Sequence, residues 1–229
     1  MQQTDDCAGS DAKIAVRDLT KMYGDLTVLD KVNFTIKRGE LVCIVGPTGC
    51  GKTTFLNAVL AAIARISPYH RIISLEDLPE LQCPADDYSP MFTKQDTGQG
   101  GIRYNMTRLL ADCMRRSPDR IVVGEVRDGA AYTMLKAWNT GHEGGACTVH
   151  ANGTEEGLTR IKSLAQEDPD AAGDLKELIG EAIDVVISIA HVELPDGRKS
   201  RIVNDIIEVD GYDSREDRYI LHHIGTHSN

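Results

Sequence analysis

Gly46, Gly51, Lys52 and Thr53 fall at the spacing G-x-x-x-x-G-K-[ST], between an apolar run ending at Val45 and an apolar-periodic stretch that opens at Phe55. Strand, glycine-rich turn and helix start, in that order, are what a phosphate chain requires of a protein. Successive backbone N–H groups can close around an anion only where no Cβ blocks the unusual dihedrals, and Gly46, Gly49 and Gly51 permit this. The helix begun by Thr53 turns its unpaired N–H groups and positive dipole end toward the same anion. Lys52 can reach the β and γ phosphates, and the Thr53 hydroxyl can ligate magnesium. The candidate triphosphate-binding residues are therefore Gly46, Pro47, Thr48, Gly49, Cys50, Gly51, Lys52, Thr53 and Thr54, with ATP and Mg2+ as the implied ligands. A loop that merely turns the chain is the plain alternative, and the flanking elements weigh against it.

Phosphoryl transfer to water needs a magnesium environment, a carboxylate that orients water, and positive charge near the transferred group. Glu125, directly after the apolar run 121–123 and Gly124 and followed by Arg127-Asp128, is the candidate for the water-orienting acid. Glu76 and Asp77, at another strand end, are candidates for the magnesium-side acids, although acids also cap turns and helices. His150 closes an apolar strand and could meet the γ-phosphate; His142, in a turn, is a weaker candidate. Arg103, Arg115, Arg116 and Arg127 are possible charge donors, of which one or two are expected to serve. Tyr23, before a glycine in a turn, could stack on adenine, with a half-buried surface tyrosine as the alternative.

The elements that must position these groups can be read from periodicity. Short β-rich runs fall at 14–16, 32–36 and 41–45. Phe55, Leu56, Val59, Leu60 and Ile63 give the helix after the loop one packed face, and Pro68 stops it. A strand at 71–75 is followed by an irregular span to about residue 105, long for a compact domain. Met106, Leu109, Leu110, Cys113 and Met114 mark the next helix, then come a strand at 121–123, a helix at 130–138 and a strand at 146–149. Asn152 with Glu155 and Asp174 with Glu177 resemble helix-start pairs. Runs at 185–192, 200–209 and 219–224 read as a terminal β-meander. Alternating strands and helices imply a mostly parallel sheet covered on both faces, with ligands beyond the carboxyl ends of its strands. Residues 46–53, 76–77, 124–125 and 150 could meet there.

The chain has 229 residues, enough for one well-buried domain with a small appendage. Its net charge of -10 argues against broad nonspecific DNA binding. Cysteines 7, 43, 50, 83, 113 and 147 have no C-x-x-C or clustered Cys/His spacing, so reduced thiols are expected. The polar, acidic residues 1–12 read as a disordered tail without a secretory signal, and no run of about 18 apolar residues occurs, which together point to the cytoplasm.

From about residue 45 to 224 the chain resembles the traffic ATPases of type II and type IV secretion, and among them the conjugal transfer ATPases. The resemblance is carried, in order, by GPTGCGKTT, RIISLEDLPEL, MTRLLADCMRRSPDRIVVGEVRDGAA and AWNTGHEGGACTVHANG. It implies an α/β P-loop NTPase with a RecA-like, mostly parallel sheet, helices on both faces, and short antiparallel β segments at the two ends. It also implies that Glu76 and Asp77 form the acidic "Asp box", that Glu125 lies in a Walker B segment whose missing aspartate is a family trait, that His150 belongs to the "His box", and that Arg127 joins the site. ATP and Mg2+ are the implied cofactors. The implied assembly is a homo-oligomeric hexameric ring, peripheral on the cytoplasmic face of the inner membrane with a secretion or conjugation apparatus, without direct sequence-specific nucleic acid binding.

Residues 13–57 resemble instead the opening of an ABC transporter ATPase, in which the tyrosine matching Tyr23 stacks on adenine. The expected organisation is a tail at 1–12, an ABC-like β segment at 13–40 and a P-loop NTPase domain at 41–229. An ABC subunit needs an LSGGQ-like signature and a strand ending Asp-Glu. Thr97-Gly98-Gln99-Gly100-Gly101 is the nearest approach to the first, and the strand here ends Gly124-Glu125. A motor ATPase is thus weighed against an ABC subunit and against a hybrid nucleotide binder with little ATPase activity.

Overall fold

The computed structural model describes residues 12–23, 26–37, 39–94, 104–193, 197 and 199–226. Residues 1–11, the run 97–101, Arg103 and the side chain of Tyr23 lie outside the described residues.

An eight-stranded mixed sheet forms the body. Its central strands are β3 (Val42–Val45), β4 (Ile72–Glu76), β6 (Arg120–Val126) and β7 (Ala146–Val149), all parallel, in the spatial order β3-β7-β6-β4. Beyond β4 lies β5 (Tyr88–Phe92); beyond β3 lie β8 (Val185–Glu193), parallel to β3, and then β9 (Lys199–Asp213) and β10 (Arg218–Thr226) as an antiparallel meander. The strands β1 (Ala12–Tyr23) and β2 (Leu26–Lys37) pair antiparallel in their own two-stranded sheet, with several register shifts.

Strand periodicity decides the two cores. Cys43, Val45, Ile73, Leu75, Ile121, Val123, Cys147 and Val149 face one side of the sheet, while Val42, Ile44, Ile72, Val122 and Ala146 face the other. On the first side pack α2 (Met106–Met114), α3 (Ala130–Asn139), α4 (Thr154–Ala165) and α5 (Leu175–Ala182); on the second packs α1 (Lys52–Ile66) through Phe55, Leu56, Val59, Leu60 and Ile63. Burying both faces is what makes the central strands read as unbroken apolar runs.

Some expectations need correcting. The span to residue 105 is not irregular throughout, because β5 runs through it parallel to β4. Pro90 masks that strand in the sequence and is tolerated because β5 is the last strand of the sheet. The first two strands are longer than the short runs at 14–16 and 32–36. Asn152 does not cap α4, whose N-cap is Gly153 with no side-chain bond, whereas Asp174 caps α5 by accepting from the Lys176 N–H at 2.9 Å.

Candidate functional site

The loop 46–51 leaves β3 and feeds α1, whose N-cap Gly51 has φ 100 and no side-chain cap, so the first-turn N–H groups are left to an external acceptor. At Gly46 (φ +155) a Cβ would run into the Ile189 carbonyl and the Cys50 thiol, so glycine is required by space as well as by dihedral. Lys52, 6% exposed, is folded back over the loop: its Nζ donates to the carbonyls of Gly46 at 2.8 Å and Pro47 at 3.0 Å and lies 3.3 Å from His150 Nδ1. Burial lowers its pKa. An ammonium has donors only, so the contact with His150 requires the lone pair of Nδ1 and leaves the ring proton on Nε2.

His150 Nε2 lies 2.8 Å from Glu125 Oε1, and the other carboxylate oxygen accepts from Arg127 Nη2 at 2.6 Å. Arg127 Nη1 stands 3.6 Å from Asp77, which also accepts from Thr93 Oγ1 at 2.7 Å. Lys52, His150, Glu125, Arg127 and Asp77 therefore form one polar chain across the carboxyl ends of β3, β7, β6 and β4. Glu125 is aimed by a local irregularity: Val123 pairs with Cys147 but Val126 with Val149, so β6 carries one extra residue there. The Thr148 hydroxyl fixes the shift by donating to the Gly124 carbonyl at 2.7 Å. Burial pushes the Glu125 pKa up, but the Arg127 hydrogen bond and charge, with His150 and Lys52, outweigh it and hold the carboxyl below its ordinary value.

Glu76, 3% exposed, turns onto its own loop: Oε1 accepts from the backbone N–H groups of Glu80 at 3.0 Å and Leu81 at 2.8 Å. That brings Glu80, which the sequence reading passed over, to within 3.3 Å of Thr53 Oγ1. Arg201 was also passed over; it reaches in from β9 to donate through Nε to the Gly49 carbonyl at 2.8 Å. Together Thr48, Lys52, Thr53, Glu80, Glu125 and Arg201 line part of a cavity of about 600 Å³ that also includes Thr54, Arg127 and His150.

Other candidates fall elsewhere. Arg115 and Arg116 follow α2 and lead toward the start of β6, at the opposite edge of the sheet, where the Arg116 carbonyl accepts from Arg71. His142 precedes β7 and lies 3.1 Å from the Ala137 carbonyl. Cys50 is fully buried, and burial pushes its thiol up.

The donors fit magnesium. Thr53 Oγ1 and the Glu80 carboxylate are hard oxygen ligands side by side. No cluster of three or more His, Cys, Asp or Glu that could hold a metal occurs among the described residues. A cation that keeps much of its water and completes its shell with phosphate oxygens needs only such a sparse set.

A family model described as "Type II/IV secretion system protein" matches residues 12–211. The conjugal transfer protein TrbB of Rhizobium radiobacter is 42% identical over 182 residues, covering 80% of this chain and 51% of that protein. The type IV secretion system protein VirB11 of Bartonella quintana is 33% identical over 189 residues, covering 80% of this chain and 52% of its own length. Among solved structures, the VirB11 ATPase from the Brucella suis type IV secretion system, in complex with sulphate, superposes with a TM-score of 0.62 at 25% identity, covering 74% of this chain and 48% of that one. The chain thus spans about half the length of these relatives.

Proposed function

The chain belongs to the type II/type IV secretion system protein family, and from that premise we propose that it is an ATP-binding and ATP-hydrolysing motor unit that energises DNA or protein transfer by a conjugation or type IV secretion apparatus. The observation that carries the proposal is the continuous link from Lys52 through His150 and Glu125 to Arg127 at the mouth of the phosphate loop.

Lys52 rests on two loop carbonyls, which give a buried ammonium its partners. Phosphate oxygens offer it stronger, charge-assisted partners, and the N–H groups of the loop and of the first turn of α1 complete the cradle. Glu125 orients the attacking water. Arg127 keeps that carboxylate ionised and His150 fixes its direction. Glu76 acts one step back, by holding Glu80 beside Thr53. When bound, Mg2+ would neutralise charge on the phosphates, held by Thr53 and Glu80 with Asp77 at the rim.

Assembly is part of the proposal: a homo-oligomeric, hexameric ring, peripheral on the inner membrane against its secretion apparatus. No helix among the described residues is long and apolar enough to cross a membrane. A neighbouring subunit's arginine can be worth about a thousandfold or more in phosphoryl transfer, so an isolated copy is expected to bind ATP and turn it over slowly. The net charge of -10 argues against broad nonspecific binding to nucleic acid.

The test is release of phosphate from MgATP by the full chain and by Lys52→Ala, measured across a concentration series with light scattering on the same samples. Turnover that is absent in the variant and rises per subunit as the wild type assembles is expected. Equal turnover in the two proteins would remove the phosphate loop from the reaction, and flat specific activity through assembly would remove the ring.

A further inference from the structure

A phosphate loop grips its anion with N–H groups turned inward, so its carbonyls must turn outward and find partners of their own. Lys52 takes those of Gly46 and Pro47. The next two face the C-terminal meander: His191 Nε2 lies 3.5 Å from the Thr48 carbonyl, at the long limit of a hydrogen bond, and Arg201 Nε donates to the Gly49 carbonyl at 2.8 Å. His191 on β8 and Arg201 on β9 are direct cross-strand partners, and β8 is hydrogen-bonded to β3, which delivers the loop. The meander therefore applies both contacts as one unit.

Arg201 holds the part of the loop that packing does not. Gly49 has φ +73, and among the described residues beyond its own two chain neighbours no atom lies within 4 Å of where its Cβ would stand. Its carbonyl and the Cys50 N–H belong to one trans peptide and point opposite ways. Anchoring the carbonyl on the guanidinium fixes the Cys50 N–H on the other side, where it closes the turn onto the Pro47 carbonyl at 3.3 Å. The same guanidinium lines the cavity with Lys52, Thr53 and His150, adding a permanent positive charge to its mouth.

We propose that Arg201 is a positioning residue for the nucleotide: it sets the Gly49-Cys50 peptide for phosphate binding and adds charge at the mouth of the cavity, making the C-terminal meander a working part of the site. The assignment rests on the nucleotide reading above. Lysine would keep the charge but lose the N–H set in a rigid planar fork, so Arg201→Lys separates the two contributions.

The experiment is MgATP titration calorimetry on the full chain as wild type, Arg201→Ala, Arg201→Lys and Lys52→Ala, with the melting temperature of each apo protein and steady-state kinetics. Arg201→Ala is expected to weaken MgATP binding about tenfold or more, the usual worth of a charge-assisted hydrogen bond, with Arg201→Lys in between. KM should carry more of the loss than kcat, and the apo melting temperatures should stay within about 2 °C. Wild-type affinity in Arg201→Ala, full recovery in Arg201→Lys, or an apo melting loss in step with the affinity loss overturns the assignment. If the wild type binds and Lys52→Ala does not, the nucleotide reading stands whatever Arg201 does; if the wild type fails to bind MgATP, that reading falls and the role of Arg201 with it.

Discussion

His150 Nε2 stands 2.8 Å from Glu125 Oε1 while the opposite nitrogen of the ring faces Lys52 Nζ at 3.3 Å. One imidazole at the end of β7 thus ties the loop lysine to the β6 carboxylate, the two groups proposed above to hold phosphate and to orient water. His150→Ala is expected to lower kcat about tenfold to a hundredfold, the worth of a hydrogen bond to a charged group, with a smaller change in MgATP affinity. Steady-state kinetics beside a binding titration separate the two, and an unchanged kcat would reduce His150 to packing.

Glu76 and Asp77 are adjacent acids with different work. Glu76→Ala removes the buried carboxylate that accepts from the part-buried N–H groups of Glu80 and Leu81, at a cost of about 1–3 kcal/mol for hydrogen bonds to a charged group. Asp77 meets Arg127 at an exposed rim, so Asp77→Asn should cost less than about 1 kcal/mol. Urea unfolding of both variants checks the contrast; equal midpoints would contradict it.

Glu80 should matter to metal more than to nucleotide. Glu80→Gln keeps the backbone bonds to Glu76 and removes the charge beside Thr53. The magnesium concentration giving half-maximal turnover is expected to rise severalfold, with nucleotide affinity in the absence of magnesium little changed. An unshifted magnesium curve would return that place to Asp77.

The pH response follows from Glu125. Its folded pKa lies below the ordinary value of 4.5: burial raises it, and Arg127, His150 and Lys52 together more than reverse that. A depressed carboxyl binds its proton more weakly when folded than when unfolded. It therefore contributes stability that is fully present above pH 4.5 and lost as pH falls through the folded value. Arg127→Ala removes the largest of the lowering influences and brings the folded value back toward the unfolded one, so the acid-side loss of stability that Glu125 contributes should shrink. Unfolding midpoints across the acid range, compared between wild type and variant, test the sign, and superimposable profiles would contradict it.

The phosphate loop was legible because its signal is local: glycine spacing, a strand before and a helix after. The meeting of Glu125 and His150 was legible in outline, since alternating strands and helices force parallel neighbours whose carboxyl ends share an edge. The sequence does not carry the order β3-β7-β6-β4, and that order makes the contacts direct. It also does not say which way an acid at a strand end points, so Glu76 reads like a metal-side acid although it faces its own loop. Arg201 lies 152 residues from its partner Gly49 and has no local pattern, because a long-range register between the meander and the loop creates the contact. Strand β5 was hidden by Pro90, whose missing N–H an edge strand does not need.

The central claim, that Glu125 orients water over a triphosphate held by Lys52, is tested most directly by Glu125→Gln. Binding of MgATP and release of phosphate should be measured on the same preparation. Affinity close to wild type with turnover reduced roughly 10²–10⁴-fold is the predicted result. Phosphate release at the wild-type rate by the glutamine variant would contradict it.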